Sequence, residues 1–221
     1  VYSPTPLRVR VLIDYRPALR TRSGVGEYTH QLAAALLAGP GPSGVELTLF
    51  SSSWKDRLAP AAELTGARLV DRRIPVQWLN LLWHRLEWPS AESLSGTRFD
   101  VVHSLHPLLT PARRAAQVVT IHDLNFLLHP ERTRAEIRRD YPPLVRAHAH
   151  RAHHVIVPSG FTKREVCARL EVPADRISVC SPGVPRWSAP PAGCRPDGYV
   201  LFFGTLEPRK NVGALLDAWC Q

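Results

Sequence analysis

Short apolar runs alternating with helical repeats set the pattern of this chain. Seven segments read as strands, from their apolar alternation or their unbroken Val, Ile and Leu content: residues 7–14, 45–50, 67–74, 99–104, 117–124, 155–157 and 175–185. Between them lie helical patterns. Leu32, Ala33, Leu36 and Leu37 mark a helix that opens at Ser23-Gly-Val-Gly-Glu-Tyr28 and is stopped by the Gly/Pro-rich residues 39–44. Residues 78–88 carry three Trp and four Leu and run into Pro89; residues 131–154 predict a helix interrupted at Pro142-Pro143; a further helix follows the Ser159-Gly160 turn. Near the end, Tyr199 to Phe203 reads as an eighth, buried strand. Val212, Leu215, Leu216 and Trp219 recur at helical spacing behind it, in a helix starting near Arg209 or Lys210. Strands separated by helices predict an α/β fold with a parallel sheet, whose ligands sit beyond the carboxyl ends of the strands. No repeat of the solenoid kind is present.

Composition narrows the class. A hydrophobic fraction of 44% with 21% charged residues is that of an ordinary globular chain, and 221 residues suffice for one or two domains. No run approaches the ~18 apolar residues of a membrane span, and the opening residues show no secretory h-region. The chain contains no Met, which leads us to expect a trimmed N-terminus or a fragment. The net charge of +9 comes almost entirely from Arg, with Lys only at 55, 163 and 210. It favours acidic partners such as phosphates or anionic headgroups, but the charges are interleaved with acids, which argues against a specific nucleic-acid arm. Cys167, Cys180, Cys194 and Cys220 form no C-x-x-C pair and stand at no zinc-ligand spacing, so we read them as reduced thiols of a cytoplasmic protein.

Two strand–glycine–helix corners carry candidate anion sites, because free backbone N–H groups and the positive end of a helix dipole point into such turns. One is Gly24-Val25-Gly26 with Tyr28; it is not G-x-G-x-x-G, so no dinucleotide fingerprint is supported. The other is Gly204 with Arg209 and Lys210 at the following helix start. A structural βα corner is an equally good reading of the Gly204 turn and, taken alone, the better reading of the Gly24 turn. His103 and His122 stand at strand ends, with Asp123 beside the second; two converging strand-end histidines point to a functional cleft. The Trp-rich helix is either packed into the core or an amphipathic patch at a membrane surface or a lipid-linked acceptor. Residues 131–154, with six Arg against three acids and four His at their end, read as a solvated basic face; His150 and His154 at i,i+4 are a weak metal hint.

In order along the chain, four motifs resemble those of the family 4 glycosyltransferases, retaining GT-B enzymes that use nucleotide sugars: Gly24-Val-Gly-Glu-Tyr28, Thr120-Ile-His-Asp-Leu124, the Ser159 turn with the Pro182-Gly-Val184 segment, and Gly204-Thr-Leu-Glu-Pro-Arg-Lys-Asn211. The resemblance implies a GT-B architecture. Residues 1–185 would form an N-terminal acceptor-side Rossmann-like domain, residues 186–198 a linker, and residues 199–221 the truncated start of the donor-binding domain, its first β-α unit. It implies that Arg209 and Lys210 meet the donor diphosphate with Gly24, Gly26 and Gly204. His122, with Asp123, would lie near the transferred sugar; Val25, Tyr28, His103 and Ser159 would face the acceptor or the cleft. Many relatives carry Arg directly after the strand glycine. Here Thr205 stands there, and Arg209 is expected to supply the guanidinium. The family's E-x7-E motif is absent, so little turnover is expected from these residues alone.

The resemblance further implies hexose transfer, with GDP-mannose ahead of UDP-glucose as donor, to a glycan or lipid-linked acceptor with retention of configuration. No metal or other cofactor is expected, since no D-x-D segment is present; the departing diphosphate would be held by cations and a helix N-terminus. Polysaccharide biosynthesis at the inner face of a membrane, with a peripheral contact, completes that expectation. The alternative is a non-catalytic Rossmann-like binding module or an inactive fragment; nucleic-acid binding rests on the charge alone.

Overall fold

A computed structural model describes residues 8–20, 22, 24–39, 44–59, 61–132, 135–183, 200–204, 206 and 210–220, with residues 132 and 135–140 described by backbone alone. Seven strands form one parallel sheet: β1 Val9–Asp14, β2 Val45–Ser52, β3 Arg68–Arg72, β4 Val101–Ser104, β5 Ala116–Thr120, β6 His154–Val157 and β7 Ile177–Val179. Their order is β3-β2-β1-β4-β5-β6-β7, every neighbouring pair parallel. The chain leaves β1 in one direction for β2 and β3, then returns past it to β4. The β1/β4 junction is therefore the topological switch point, where an open parallel sheet leaves a crevice at its carboxyl edge.

The direction of each step decides which face its helix covers, because parallel crossovers keep one hand. Helix α1, Val25–Ala38, follows β1 toward β2; its Ala33 packs with Val11, Ile13, Leu47 and Leu49. Steps in the other direction put α2 (Val76–Leu86) and α3 (Ala91–Ser95) on the opposite face, where Leu79, Trp83 and Leu94 meet Leu12, Phe50, Val70 and Val102. On that same side α5 (Ala135–Arg151) and α6 (Gly160–Leu170) contribute Val145, Ala149, Val166 and Leu170 against Val119, Val155, Val157 and Ile177; the short helix α4, Asn125–Leu128, precedes them. Because strand residues alternate faces, Val11 and Ile13 serve one core while Leu12 between them serves the other. Burial on both faces explains why β1 reads as an unbroken apolar run.

Three expectations change. Helix α5 runs unbroken through Pro142 and Pro143. The two missing N–H groups leave its carbonyls short of donors, but the packing of Val145, His148 and Ala149 into the sheet offsets that loss. Helix α2 is neither wholly packed nor wholly free: Leu79 and Trp83 are buried, while Trp78 is 63% and Leu81 48% exposed. Among residues 200–203 no strand forms, and Leu201 and Phe203 face solvent. An isolated strand has no ladder partner here and no sheet face to bury. The helix behind it does form, as α7, Val212–Trp219, with Leu215, Leu216 and Trp219 exposed. The expected linker, 186–198, lies outside the described residues.

The two glycines at the start of α1 serve different needs. Gly24 precedes the helix at φ +51°, ψ −114°, a conformation costly for any side chain. Gly26 is pressed against the β1–α1 connection: a Cβ on it would lie 2.6 Å from the carbonyl oxygen of Pro17. Backbone cannot swing aside, so Gly26→Ala is expected to lower stability by roughly 1–3 kcal/mol in chemical denaturation. Gly39→Ala, whose added methyl would meet nothing nearer than 3.6 Å, should be close to neutral. Equal effects from the two substitutions would show that the contact at Pro17 is not what demands glycine.

Candidate active site

Two polar clusters stand at the carboxyl edge of the sheet, one against α2 and one against α1. The first centres on Asp14, the last residue of β1. Its carboxylate is fully buried and takes hydrogen bonds from the backbone N–H of Arg16 at 3.2 Å, from Arg16 Nε at 2.9 Å and Nη2 at 2.6 Å, and from His106 Nε2 at 3.2 Å. The neighbouring guanidinium and these donors hold Asp14 far below the usual carboxylate range, against the opposing cost of burial. Arg16 is held in turn by Asn80 Oδ1, which accepts from Nη1 at 2.9 Å, and lies 4.4 Å above the centre of the Trp83 ring. His106 accepts the Leu108 backbone N–H at Nδ1, so the proton sits on Nε2 and is donated to Asp14. These five residues join the end of β1, the loop after β4 and the inner face of α2 across the switch point. Asp14, Arg16, Asn80 and His106 floor a cleft of about 650 Å³, lined also by Val25, Gln77 and Tyr141, with Trp83 behind Arg16.

Sequence reasoning singles out none of Asp14, Arg16, Asn80, Trp83 or His106. The available signal is a polar residue closing an apolar strand at the carboxyl edge, but it does not reveal a partner 92 positions away.

The second cluster is built around His122. Its ring stands edge-on to Tyr28 of α1 at 4.9 Å, and its Nε2–H donates to the Leu105 carbonyl at 3.2 Å. Burial pushes His122 below the usual imidazole range, partly opposed by the Leu105 carbonyl and the Asp123 carboxylate; burial likewise raises the Tyr28 hydroxyl. Asp123 accepts the Asn125 N–H at 2.9 Å at the start of α4. Ser159 is the N-cap of α6: its Oγ accepts from Thr162 N–H at 3.1 Å, and Thr162 Oγ1 reaches the His122 carbonyl at 3.4 Å. The structure thus brings Tyr28, His122, Asp123 and Ser159 together, and puts Val25 in the adjoining cleft.

His103 stands apart from them. It lies inside β4, 7% exposed, with Nε2 at 2.8 Å from Thr120 Oγ1, so it braces two strands beneath the clusters rather than reaching into them. Lys210 comes beside Gly204: a Cβ on that glycine, at φ +150°, would lie 3.9 Å from Lys210 Cε. Arg209 lies outside the described residues.

The histidines at the end of α5 are fasteners. His148 Nδ1 accepts the Leu109 N–H at 2.8 Å, His150 Nε2 donates to the Leu170 carbonyl at 2.6 Å, His153 Nδ1 accepts the Gln117 N–H at 3.1 Å and His154 Nε2 meets Ser178 Oγ at 2.8 Å. Each has a different partner, and among the described residues no group of three or more His, Cys, Asp or Glu could hold a metal.

The parallel sheet, its switch-point cleft and the His122 cluster agree with what the sequence shares with known proteins. Residues 22–186 match the family model described as Glycosyltransferase Family 4, and the chain belongs to that family. The chain is also similar to the O-antigen chain mannosyltransferase B of Escherichia coli, 31% identical over 235 residues. That alignment takes in 96% of this chain and 60% of the relative, so the chain spans about three-fifths of its length. Among the described residues no helix is long and apolar enough to cross a membrane.

Burial makes the acid response predictable. His103 and His148 are each pushed down to about 4 by desolvation, from an ordinary value of 6.5. Their folded forms bind protons less readily than the unfolded chain, so stability is fully present above about pH 6.5 and falls as pH drops toward 4, by roughly 3 kcal/mol per histidine at the limit. Asp14, depressed in the folded state, stays ionised over that window, and its contribution is lost only at lower pH. Denaturant titrations between pH 7.5 and 4.5 should show the decline. His148→Asn, which can still accept from Leu109, should flatten it, and an unchanged slope would exclude His148 as a source. Separately, Asp14→Ala strands the Arg16 charge and is expected to cost about 3–5 kcal/mol.

Proposed function

We propose that this chain supplies the acceptor side of a retaining hexosyltransferase that moves mannose from GDP-mannose to the end of a growing glycan. The observation that carries the reading is the convergence of Gly24, Tyr28, His122 and the Asp14–Arg16 floor at the carboxyl edge of a family 4 sheet. Mannose is the sugar named for the relative of Escherichia coli.

In this reading the donor diphosphate lies against Lys210 and Arg209 at the start of α7, with the exposed Gly24 turn allowing backbone approach from the other side. Charge develops on the departing phosphate, so preorganised cations there act mainly on the transition state, without a metal. His122, with Nε2–H committed to Leu105 and held neutral by burial, presents Nδ1 as an acceptor and its ring as a wall. It orients the transferred sugar rather than removing a proton. Residues 1–221 alone are expected to turn over little, since the acidic pair that contacts sugar and ribose in the family is lacking.

Calorimetry tests the assignment. GDP, UDP and ADP are titrated into this chain and into a form extended through the native reading frame. GDP is expected to bind the extended form, and Lys210→Ala to weaken it by about 1.5–3 kcal/mol, the value of a hydrogen bond to a charged group. UDP binding in its place would replace mannose and its base; no nucleotide binding would return the chain to the class of non-catalytic modules.

A peripheral membrane contact is part of the proposal, favoured by one surface. Trp54, Trp78, Leu81 and Trp88 are exposed on or beside α2, with Lys55, Arg57, Arg73 and Arg85 exposed among them. Aromatic rings with cations suit an anionic lipid interface. Binding to phosphatidylglycerol vesicles is expected and should drop sharply in the Trp78→Ser, Leu81→Ser double variant. Equal binding by both forms would remove this surface from the proposal.

A further inference from the structure

The cleft over the β1/β4 switch point is rich in charge, yet its charge is cancelled from within. Asp14 is paired to Arg16 at 2.6 Å, and Arg20, farther out, to Asp56 at 2.8 Å. Four donor groups are directed at Asp14, and both ring nitrogens of His106 are engaged. The remaining polar lining is the amides of Gln77 and Asn80 and the imidazole of His84 from α2, the phenol of Tyr141 from α5 and Ser53, whose hydroxyl already accepts from the Lys55 and Asp56 N–H groups. Between them lie apolar surfaces: Pro17, Leu19, Val25, Val76, Leu108 and the Tyr141 ring. The volume, about 650 Å³, is that of a small-molecule site.

A phosphate or carboxylate entering this space would find the Arg16 guanidinium already paired with a carboxylate 2.6 Å away, whose repulsion offsets much of the attraction. An uncharged, hydroxyl-bearing ring suffers neither problem: its C–H faces suit the apolar walls, and its hydroxyls can both donate to and accept from side-chain amides. Arg16 still has N–H groups beyond those spent on Asp14 and Asn80, since a guanidinium carries five donors.

We propose that this cleft binds the uncharged saccharide terminus of the acceptor, with Gln77, Asn80 and Tyr141 as its specificity residues, and that any diphosphate of a lipid carrier lies outside it. The inference rests on the glycosyltransferase reading and narrows its acceptor. Two walls of the site, α2 and α5, also meet at their far ends in the surface ion pair between Glu87 and Arg151.

Side-chain amide resonances of the extended enzyme, titrated with mannobiose, with glucuronosyl-mannose and with inorganic pyrophosphate, provide the test. Mannobiose is expected to shift the Gln77 and Asn80 amides, to bind equally well at low and high salt, and to lose about tenfold in affinity in Gln77→Ala and in Tyr141→Ala. Pyrophosphate should leave those resonances unmoved. Tighter, salt-sensitive binding of pyrophosphate or of the uronate at the same amides would overturn the inference, as would mannobiose binding indifferent to both substitutions or absent. GDP titrated into the same samples separates the two levels. If GDP binds and mannobiose does not, the cleft assignment fails alone. If mannobiose shifts Gln77 and Asn80 but no nucleotide binds, the saccharide site stands and the transferase reading falls.

Discussion

The buried ion pair between Asp14 and Arg16 is the constraint on which the rest of the site depends. A carboxylate at 0% exposure is costly to desolvate, and that cost is met here by a complete set of partners rather than by one charge. Arg16 supplies backbone and side-chain donors, His106 adds a third source from the neighbouring strand's exit, and Asn80 and Trp83 fix the guanidinium from α2. Three elements that share no sequence proximity are thereby locked at one point. Because every member has its partners, the network is rigid as well as satisfied, and no buried side-chain polar atom among the described residues lacks a partner.

The two polar clusters at the carboxyl edge differ in chemistry. On the α2 side the charges are matched, and the space above them is neutral and hydroxyl-binding. On the α1 side His122 leans on Tyr28 and is tethered through its backbone to the cap of α6. The partition follows from strand alternation: Asp14 points to the α2 face while His103 and Thr120 point to the α1 face, where they brace the sheet beneath Tyr28. The first turn of α1 borders the Asp14 cleft through Val25, and the contact of Gly26 with Pro17 sets how close that turn can sit to it.

Much of this architecture is legible in the chain. The seven strands, the parallel sheet, the glycine-opened helix and the His122 strand exit all follow from apolar period and turn residues, which are local properties. Helix α5 shows where local rules fall short, since two prolines predict a break and packing carries the helix through them. Residues 200–203 show the reverse: aromatic, apolar sequence predicts a strand, and with no neighbour to pair with none forms.

By itself the sequence determined the fold class, the order of its elements and the four motifs that carry the family likeness, because each is encoded within a few consecutive residues. Only the tertiary structure decided which polar residues meet. Asp14 and His106 are ordinary polar letters in the sequence, and their pairing exists because β1 and β4 become neighbours at the switch point. The same holds for Gly26, whose lack of a side chain is required by its contact with Pro17, and for His103, a strand-end histidine hydrogen-bonded to Thr120. The hydrogen bond, the ion pair and the steric contact act over a few ångströms, and nothing in a linear pattern records which distant residues the sheet order will bring within that reach.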